Sequence, residues 1–136
     1  MSDFNKTIKE LNFPKRIIHC RPNTPISDVM AGMVEKDIGA VVITEDRKPI
    51  GIVTERDYLT KLCGQDIDLS GPISGIMTDH PTTVGEDENI MNVVKNMRLG
   101  NFRRMIVVDS EGKLVCVISI RDIMEFFAHT IDAKGH

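Results

Sequence analysis

The sequence lacks several features from which function is often predicted. It has no Trp, and its three Cys show no C-x-x-C spacing, which disfavours a disulfide framework and a zinc ribbon. It has no apolar run long enough to span a bilayer and no apolar signal core near the first residues, so we expect no membrane partner and a cytoplasmic location. The net charge of −3 provides no basic field for nucleic acid.

Catalytic and metal-binding signatures are also missing from the sequence. It contains no G-x-x-x-x-G-K-[ST], no G-x-G-x-x-G after a strand and no G-x-S-x-G. His19, Cys20 and His80 do not have the spacing of a metal site. We therefore expect no enzyme, no catalytic cofactor and no metal. A small hydrolase remains a disfavoured alternative, because no nucleophile–base pair is evident.

The sequence does contain an internal repeat. An apolar strand runs into Thr54, with Asp57 three residues later, and the same arrangement recurs at Ser119 and Asp122. Both key residues recur after 65 residues (54 to 119 and 57 to 122). A fixed period of this kind predicts two copies of one structural unit.

The hydrophobic pattern predicts the same order in each half: strand, helix, strand, strand, helix. The first helix of each half is expected to bury an apolar stripe, made by Ile26, Val29, Met30 and Met33 in one half and by Ile90, Val93, Val94 and Met97 in the other. Thr24 is expected to cap the first of these helices, with Pro25 at its first position and Gly39 as its left-handed end. In the last helix, Ile123, Met124 and Phe127 are expected to point inward. The strands are predicted at 17–20, 40–44, 49–53, 81–84, 105–109 and 113–118.

Two segments lie outside this pattern. Phe4, Ile8 and Leu11 share one helical face, which predicts a short helix capped by Asp3, ended by Pro14 and docked on the body or on a partner. Gly and Pro make residues 64–79 resemble a linker. The predicted organisation is an N-terminal helical segment (1–13), a first repeat (14–66), a linker (67–79), a second repeat (80–131) and a tail (132–136).

Over about residues 14–131 the chain resembles a tandem pair of cystathionine β-synthase (CBS) domains. The resemblance implies an α+β fold of two tandem β-α-β-β-α repeats packed around a pseudo-twofold axis. It rests on Gly51-Ile52-Val53-Thr54-x-x-Asp57, the matching Ser119-x-x-Asp122, Ile76-Met77-Thr78 before Pro81, and Phe102-Arg103-Arg104-Met105-Ile106-Val107.

The resemblance also implies a regulatory binding module. Such modules sense an adenosine-containing ligand (AMP, ADP, ATP, S-adenosylmethionine or NAD) between the repeats, and we expect AMP or ATP here. The chain has no effector domain, so the signal would pass to an unidentified partner protein. Modules of this kind commonly pair, and we expect a homodimer formed by apolar helix faces that include Tyr58, Leu62, Phe126 and Phe127.

The aspartates at the two junctions have two compatible interpretations. A hydroxyl residue followed three positions later by an acid is typical of a capping box. The resemblance instead implies an aspartate that accepts from both ribose hydroxyls at an anion-attracting helix start. Arg103 and Arg104 match positions that often meet phosphates, although a solvated pair is the alternative. Arg56 and Arg121 are further phosphate candidates, or exposed helix residues.

In the resembled architecture the two sites are unequal. Thr54 and Asp57 would share a cleft with Arg103 and Arg104 and would prefer phosphorylated ligands. Cys116 in place of Gly51 suggests partial loss of the other site, which is expected to be weaker. The alternative function is therefore an interaction or structural subunit with vestigial ligand sites. The first cleft would have His80, Pro81 and Thr82 as its wall, and the second would contain Ser119, Asp122, Gly39, Ala40, Ile17 and Ile18, with Arg121 nearby.

Overall fold

The structure, a computed structural model, describes residues 5–13 and 18–133. Within these residues the chain forms seven strands, five α-helices and a 3-10 turn, which confirms the predicted α+β class. No helix among them is both long and apolar enough to cross a membrane. In chain order the elements are α1 (Ile8–Leu11), β1 (His19–Cys20), α2 (Ile26–Lys36), β2 (Ala40–Glu45), β3 (Lys48–Thr54), α3 (Glu55–Leu62), the 3-10 turn (Ile73–Gly75), β4 (Thr78–Asp79), β5 (Thr83–Gly85), α4 (Ile90–Gly100), β6 (Arg104–Val108), β7 (Leu114–Ser119) and α5 (Ile120–Ala133).

The described residues divide into two compact units. The first unit (18–81) contains a sheet of order β1-β2-β3-β4, in which β1 runs parallel to β2 and the other pairs are antiparallel. Asp46 and Arg47 turn β2 into β3, and both have positive φ, as a two-residue hairpin of this hand requires. The stripe of α2 packs on this sheet and is buried, as predicted, at Ile26, Val29 and Met33.

The second unit (5–13 and 82–133) repeats this arrangement in a smaller sheet. Its order is β5-β6-β7, with β5 parallel to β6 and β6 antiparallel to β7. The predicted stripe of α4 is again buried, at Ile90, Val93 and Met97. Because the sequence period places the same residue types on the same faces, each unit presents one helix start at the end of its last long strand.

The segment before each repeat is part of the other repeat's unit. In the second unit, the Ile8 N–H donates to the Glu88 carbonyl (3.0 Å), and the Ile90 N–H donates to the Lys6 carbonyl (2.9 Å). The equivalent bonds in the first unit run from Ile73 to Thr24 (2.8 Å) and from Ile26 to Gly71 (2.9 Å). Ile8 and Ile73, 65 residues apart, are both buried. The interval 67–79, predicted as a linker, therefore supplies core residues and strand β4.

Several helix ends differ from prediction. Pro25 rather than Thr24 occupies the N-cap position of α2, with no side-chain capping bond, and Asp37 rather than Gly39 is the left-handed residue that ends the helix (φ 52°). Aspartate tolerates this conformation better than most residues. Thr7 caps α1 through a capping box with Glu10. Asp3, Phe4 and Pro14 lie outside the described residues.

In α3 and α5, the helices that end the two repeats, the exposed side chains also differ from prediction. Tyr58 and Leu62 pack against the core of the first unit. The ring of Phe126 lies 5.3 Å from both the Phe13 and Phe127 rings. In α5, Ile123 is buried as predicted, but Met124 is 66% exposed. The most exposed large apolar residues include Leu59 (72%) and Met124, which are equivalent positions 65 residues apart. Val34 (78%) and Leu99 (71%), on α2 and α4, are also exposed but are not equivalent positions.

Candidate ligand site at two helix starts

The first junction joins β3 to α3 through a reciprocal pair of hydrogen bonds. The Thr54 backbone N–H donates to Asp57 Oδ2 (2.8 Å), and the Asp57 N–H donates back to Thr54 Oγ1 (3.4 Å). The Thr54 hydroxyl also lies 3.2 Å from Asp57 Oδ2. The predicted capping box is therefore present, and it fixes one carboxylate oxygen at the start of the helix.

The other oxygen of Asp57 is also engaged. Lys61 Nζ lies 3.3 Å from Asp57 Oδ1, and the Thr78 hydroxyl lies 3.5 Å from the same oxygen. The ammonium group of Lys61 also donates to the Ile76 carbonyl (2.7 Å). The exposed fraction is 37% for the Lys61 side chain and 13% for that of Asp57. The first junction is thus a partly buried ion pair as well as a helix cap.

The second junction, between β7 and α5, has the same cap without the ion pair. The Ser119 N–H donates to Asp122 Oδ2 (2.9 Å), and the Asp122 N–H donates to Ser119 Oγ (3.0 Å). Across residues 5–13 and 18–133, no hydrogen bond or salt bridge engages Asp122 Oδ1. As far as the described residues go, this oxygen has room to accept from a hydroxyl group.

Each junction lies beside the start of its own central strand. Arg104 is the register partner of Ser119, and the Ile120 N–H donates to the Arg103 carbonyl (3.0 Å). Both arginines are exposed, and neither side chain forms an ion pair with a described residue. Guanidinium groups in this setting are suited to phosphate oxygens.

The corresponding positions in the first unit are uncharged. Ala40 is the register partner of Thr54, and the Glu55 N–H donates to the Gly39 carbonyl (3.2 Å). The structure thus places Gly39 and Ala40 beside the Asp57 junction. It places Arg103 and Arg104 beside the Asp122 junction.

The remaining predicted binding residues are more scattered. Arg56 is exposed, whereas Arg121 pairs with Glu125 Oε1 (3.1 Å). His80 is exposed with a positive φ of 50°, 3.6 Å from the Asp79 carboxylate. Pro81 is half-buried and Thr82 is exposed. The Ile18 carbonyl accepts from the Val42 N–H (3.1 Å), and Ile17 lies outside the described residues.

A separate open cleft of about 840 Å³ lies at the hairpin end of the first sheet. Arg21 and Arg47 line it together with Glu45, so its charges are of both signs. The buried Thr44 hydroxyl lies 3.4 Å from His19 Nδ1. In the part of the chain that the structure describes, no three His, Cys, Asp or Glu side chains are grouped to hold a metal ion.

Sequence reasoning did not identify Lys61 or Thr78. Lys61 lies one helical turn after Asp57, which is a visible i,i+4 signal. Thr78 is 21 residues from Asp57, in the interval predicted as a linker, and nothing local in the sequence indicates its approach.

Comparison with models of protein families also finds two copies of one domain in this chain. The sequence model of the CBS domain matches residues 8–64 and again 73–129. The chain belongs to the CBS domain family. Both matches begin at the segments that precede each repeat, Ile8 and Ile73, rather than at the first strands.

The CBS pair has relatives among archaea. It is 34% identical over 104 residues to an uncharacterized 17.7 kDa protein of Acidianus ambivalens, covering 76% of this chain and 62% of that protein. It is 34% identical over 111 residues to uncharacterized protein MK0525 of Methanopyrus kandleri, covering 80% and 57%. The chain therefore spans about 60% of the length of these relatives.

A solved structure supports the fold. The CBS domain protein PAE2072 from Pyrobaculum aerophilum, complexed with AMP, is 28% identical and superposes with a TM-score of 0.75. The alignment covers 90% of this chain and 98% of that one.

Proposed function

We propose that this CBS pair binds an adenosine-containing ligand, with AMP or ATP favoured, and signals its presence to another protein. The observation that carries the proposal is the aspartate held at each helix start by a reciprocal cap, with an adjacent basic pair in the second unit. The similar Pyrobaculum aerophilum protein is complexed with AMP. CBS pair proteins are generally regulatory rather than catalytic, and this chain is proposed to act in the same way.

In the proposed chemistry, three kinds of protein group bind the ligand: a carboxylate, backbone N–H groups and arginine side chains. A capped carboxylate keeps one oxygen on the helix backbone and offers the other to the ribose hydroxyls. The N–H groups at the helix start and the arginines at the strand start offer charge-assisted hydrogen bonds to phosphate. Each such bond contributes roughly 1.5–3 kcal/mol.

Signalling requires the ligand to prefer one conformation of the pair over another, because a ligand with equal affinity for both shifts nothing. The partner that reads this change is unidentified. We also propose a homodimer, since Leu59 and Met124 place exposed apolar side chains at matching positions of the two repeats, and Val34 and Leu99 expose further apolar side chains on α2 and α4.

Thermal denaturation with a nucleotide panel tests the proposal. AMP, ATP, adenosine and S-adenosylmethionine are compared, with GMP as the matched control for phosphate without adenine. A ligand present at a hundredfold over its Kd stabilises by about 2.7 kcal/mol. If no adenosine compound shifts the melting temperature while the protein remains a dimer, the result favours the alternative of an interaction subunit with vestigial sites.

A further inference from the structure

The two junctions differ at the position one helical turn after the aspartate. Residue 61 is Lys in the first repeat, and the equivalent residue 126, 65 positions later, is Phe. A Lys at this position delivers a positive charge to the aspartate on its own helix, whereas a Phe does not. The difference therefore bears on how available each carboxylate is to a ligand.

Lys61 is held in place by more than the aspartate. Its ammonium group donates to the Ile76 carbonyl (2.7 Å) while it pairs with Asp57 Oδ1 (3.3 Å). The hydroxyl of Thr78 also faces Oδ1 (3.5 Å). Because Asp57 Oδ2 serves the helix cap, both oxygens already have partners in the same unit. A ribose would have to displace or share these donors.

Asp122 is in a different situation. Its Oδ2 serves the cap with Ser119, and Oδ1 is engaged by none of the described residues. Phe126 instead lies against the rings of Phe13 and Phe127. Arg103 lies at the adjacent strand start without an ion-pair partner in the described chain. A ribose hydroxyl therefore gains a bond at Asp122 without displacing a donor from residues 5–13 or 18–133.

We propose that Lys61 masks Asp57, so that Asp122 is the ribose acceptor of the higher-affinity site and Lys61 sets the inequality between the two sites. This inference rests on the proposed function. It reverses the ranking expected from the sequence, in which the Asp57 site was the stronger one. Lys61 acts here through Asp57 and is a positioning residue.

Calorimetric titration with AMP on four proteins tests the inference: wild type, Asp57→Asn, Asp122→Asn and Lys61→Met. Asparagine keeps the shape of the cap while removing the charge. In the wild type we expect one tight binding event per chain. Asp122→Asn weakens it at least about tenfold, and Asp57→Asn changes it less than about threefold. Lys61→Met keeps the aliphatic stem, unmasks Asp57 and adds a second event per chain.

Two further variants serve as comparisons. One removes a lysine elsewhere in the same unit, and the other removes the hydroxyl donor to Asp57 Oδ1. Lys48→Met removes an exposed lysine at the start of β3 in the same unit and leaves one event. Thr78→Val removes the other donor to Asp57 Oδ1, a hydroxyl that also accepts from Lys61 Nζ (3.5 Å), and keeps both charges of the ion pair. Since Lys61 remains, we expect one tight event, as in the wild type. The comparison of Asp57→Asn with Asp122→Asn remains decisive if Lys61→Met fails to fold.

The outcomes separate the inference from the function beneath it. Equal losses in the two Asp→Asn variants, a larger loss for Asp57→Asn, or unchanged stoichiometry in folded Lys61→Met overturns the inference and leaves nucleotide binding standing. If the wild type binds none of AMP, ATP, adenosine or S-adenosylmethionine at millimolar concentration, the proposed function fails and the inference fails with it.

Discussion

The Met77 thioether lies in the space that a side chain on Gly51 would occupy. Gly51 pairs with Asp79 across β3 and β4, so the strand that follows Met77 is brought directly against it. The second unit has no strand equivalent to β4 among its described residues, and there Cys116 is buried in the position matching Gly51. The close approach of Met77 thus gives glycine at position 51 a packing reason.

This contact predicts that Gly51→Ala destabilises the protein. The added methyl group meets Met77 and the Thr78 carbonyl, and overpacking of this kind costs about 1–3 kcal/mol. Gly32, inside α2, has no neighbour within 4 Å of an added Cβ, so Gly32→Ala is the matched control and should stabilise by about 0.5–1 kcal/mol. Urea unfolding measures both, and equal effects would contradict the contact.

The segments that precede the two repeats, which contain Ile8 and Ile73, are each expected to stabilise only the unit into which they pack. Ile8→Ala and Ile73→Ala each remove a buried side chain, at about 2–5 kcal/mol. We expect Ile8→Ala to weaken hydrogen-exchange protection at the Ile90 amide, and Ile73→Ala to weaken it at the Ile26 amide, because each backbone bond belongs to a different unit. Loss of protection at Ile26 alone in the Ile8 variant would contradict this arrangement.

Tyr58 predicts an alkaline limit to stability. Burial, with a smaller contribution from the charge of Cys20, raises the pKa of Tyr58 to about 12. The folded state therefore holds the phenol proton more tightly than the unfolded chain, so this share of stability is complete below pH 10 and is lost as the pH rises towards 12.

Tyr58 is the only tyrosine and the chain has no Trp, so phenolate absorbance follows this group alone. We expect a midpoint near 12 in buffer and near 10 in concentrated urea. Tyr58→Phe should lose the hydrogen bond to the Ile26 carbonyl (3.2 Å), at about 1 kcal/mol, and show a smaller alkaline loss. Identical midpoints in buffer and in urea would refute the shift.

Arg104 predicts discrimination between phosphorylated and unphosphorylated ligands. Arg104→Ala should weaken AMP by about 1.5–3 kcal/mol, which is roughly tenfold or more, because a charge-assisted bond to phosphate is lost. Adenosine should bind nearly as before. Arg98→Ala, which removes an equal charge from an exposed position on α4, is the control. Calorimetry that finds equal losses for AMP and adenosine would show that Arg104 does not read phosphate.

The exposed apolar residues predict a homodimer. Sedimentation at tens of micromolar should give twice the chain mass of 15.2 kDa. Leu59→Glu combined with Met124→Glu should shift the protein towards monomer, because charge on an apolar interface is costly. Thr60→Glu adds charge beside Leu59 on the same helix and serves as control. A monomeric wild type would remove the proposal.

Local patterns in the sequence were enough to predict the repeat, the buried stripes and both aspartate caps. Each is decided within a few residues, as with Thr54 and Asp57. The sequence did not reveal that residues 73–79 belong to the first unit. That depends on backbone bonds between distant segments, such as Ile73 to Thr24, which leave no periodic signal. The approach of the Thr78 hydroxyl to Asp57 Oδ1 was missed for the same reason.

Because residues 5–13 pack into the second unit, their burial is delayed during synthesis of the chain. The amide of Asn89 bonds to the Asn5 carbonyl, 84 residues away, so residues 5–13 leave the ribosome long before their partners exist. At about 5–20 residues per second the wait is roughly 4–17 s. Residues 18–79 are contiguous and have no such delay. Throughout that interval Ile8 and Leu11 have no native core to enter, so they wait longer for burial than the core residues of the first unit, whose partners are close behind them in the chain.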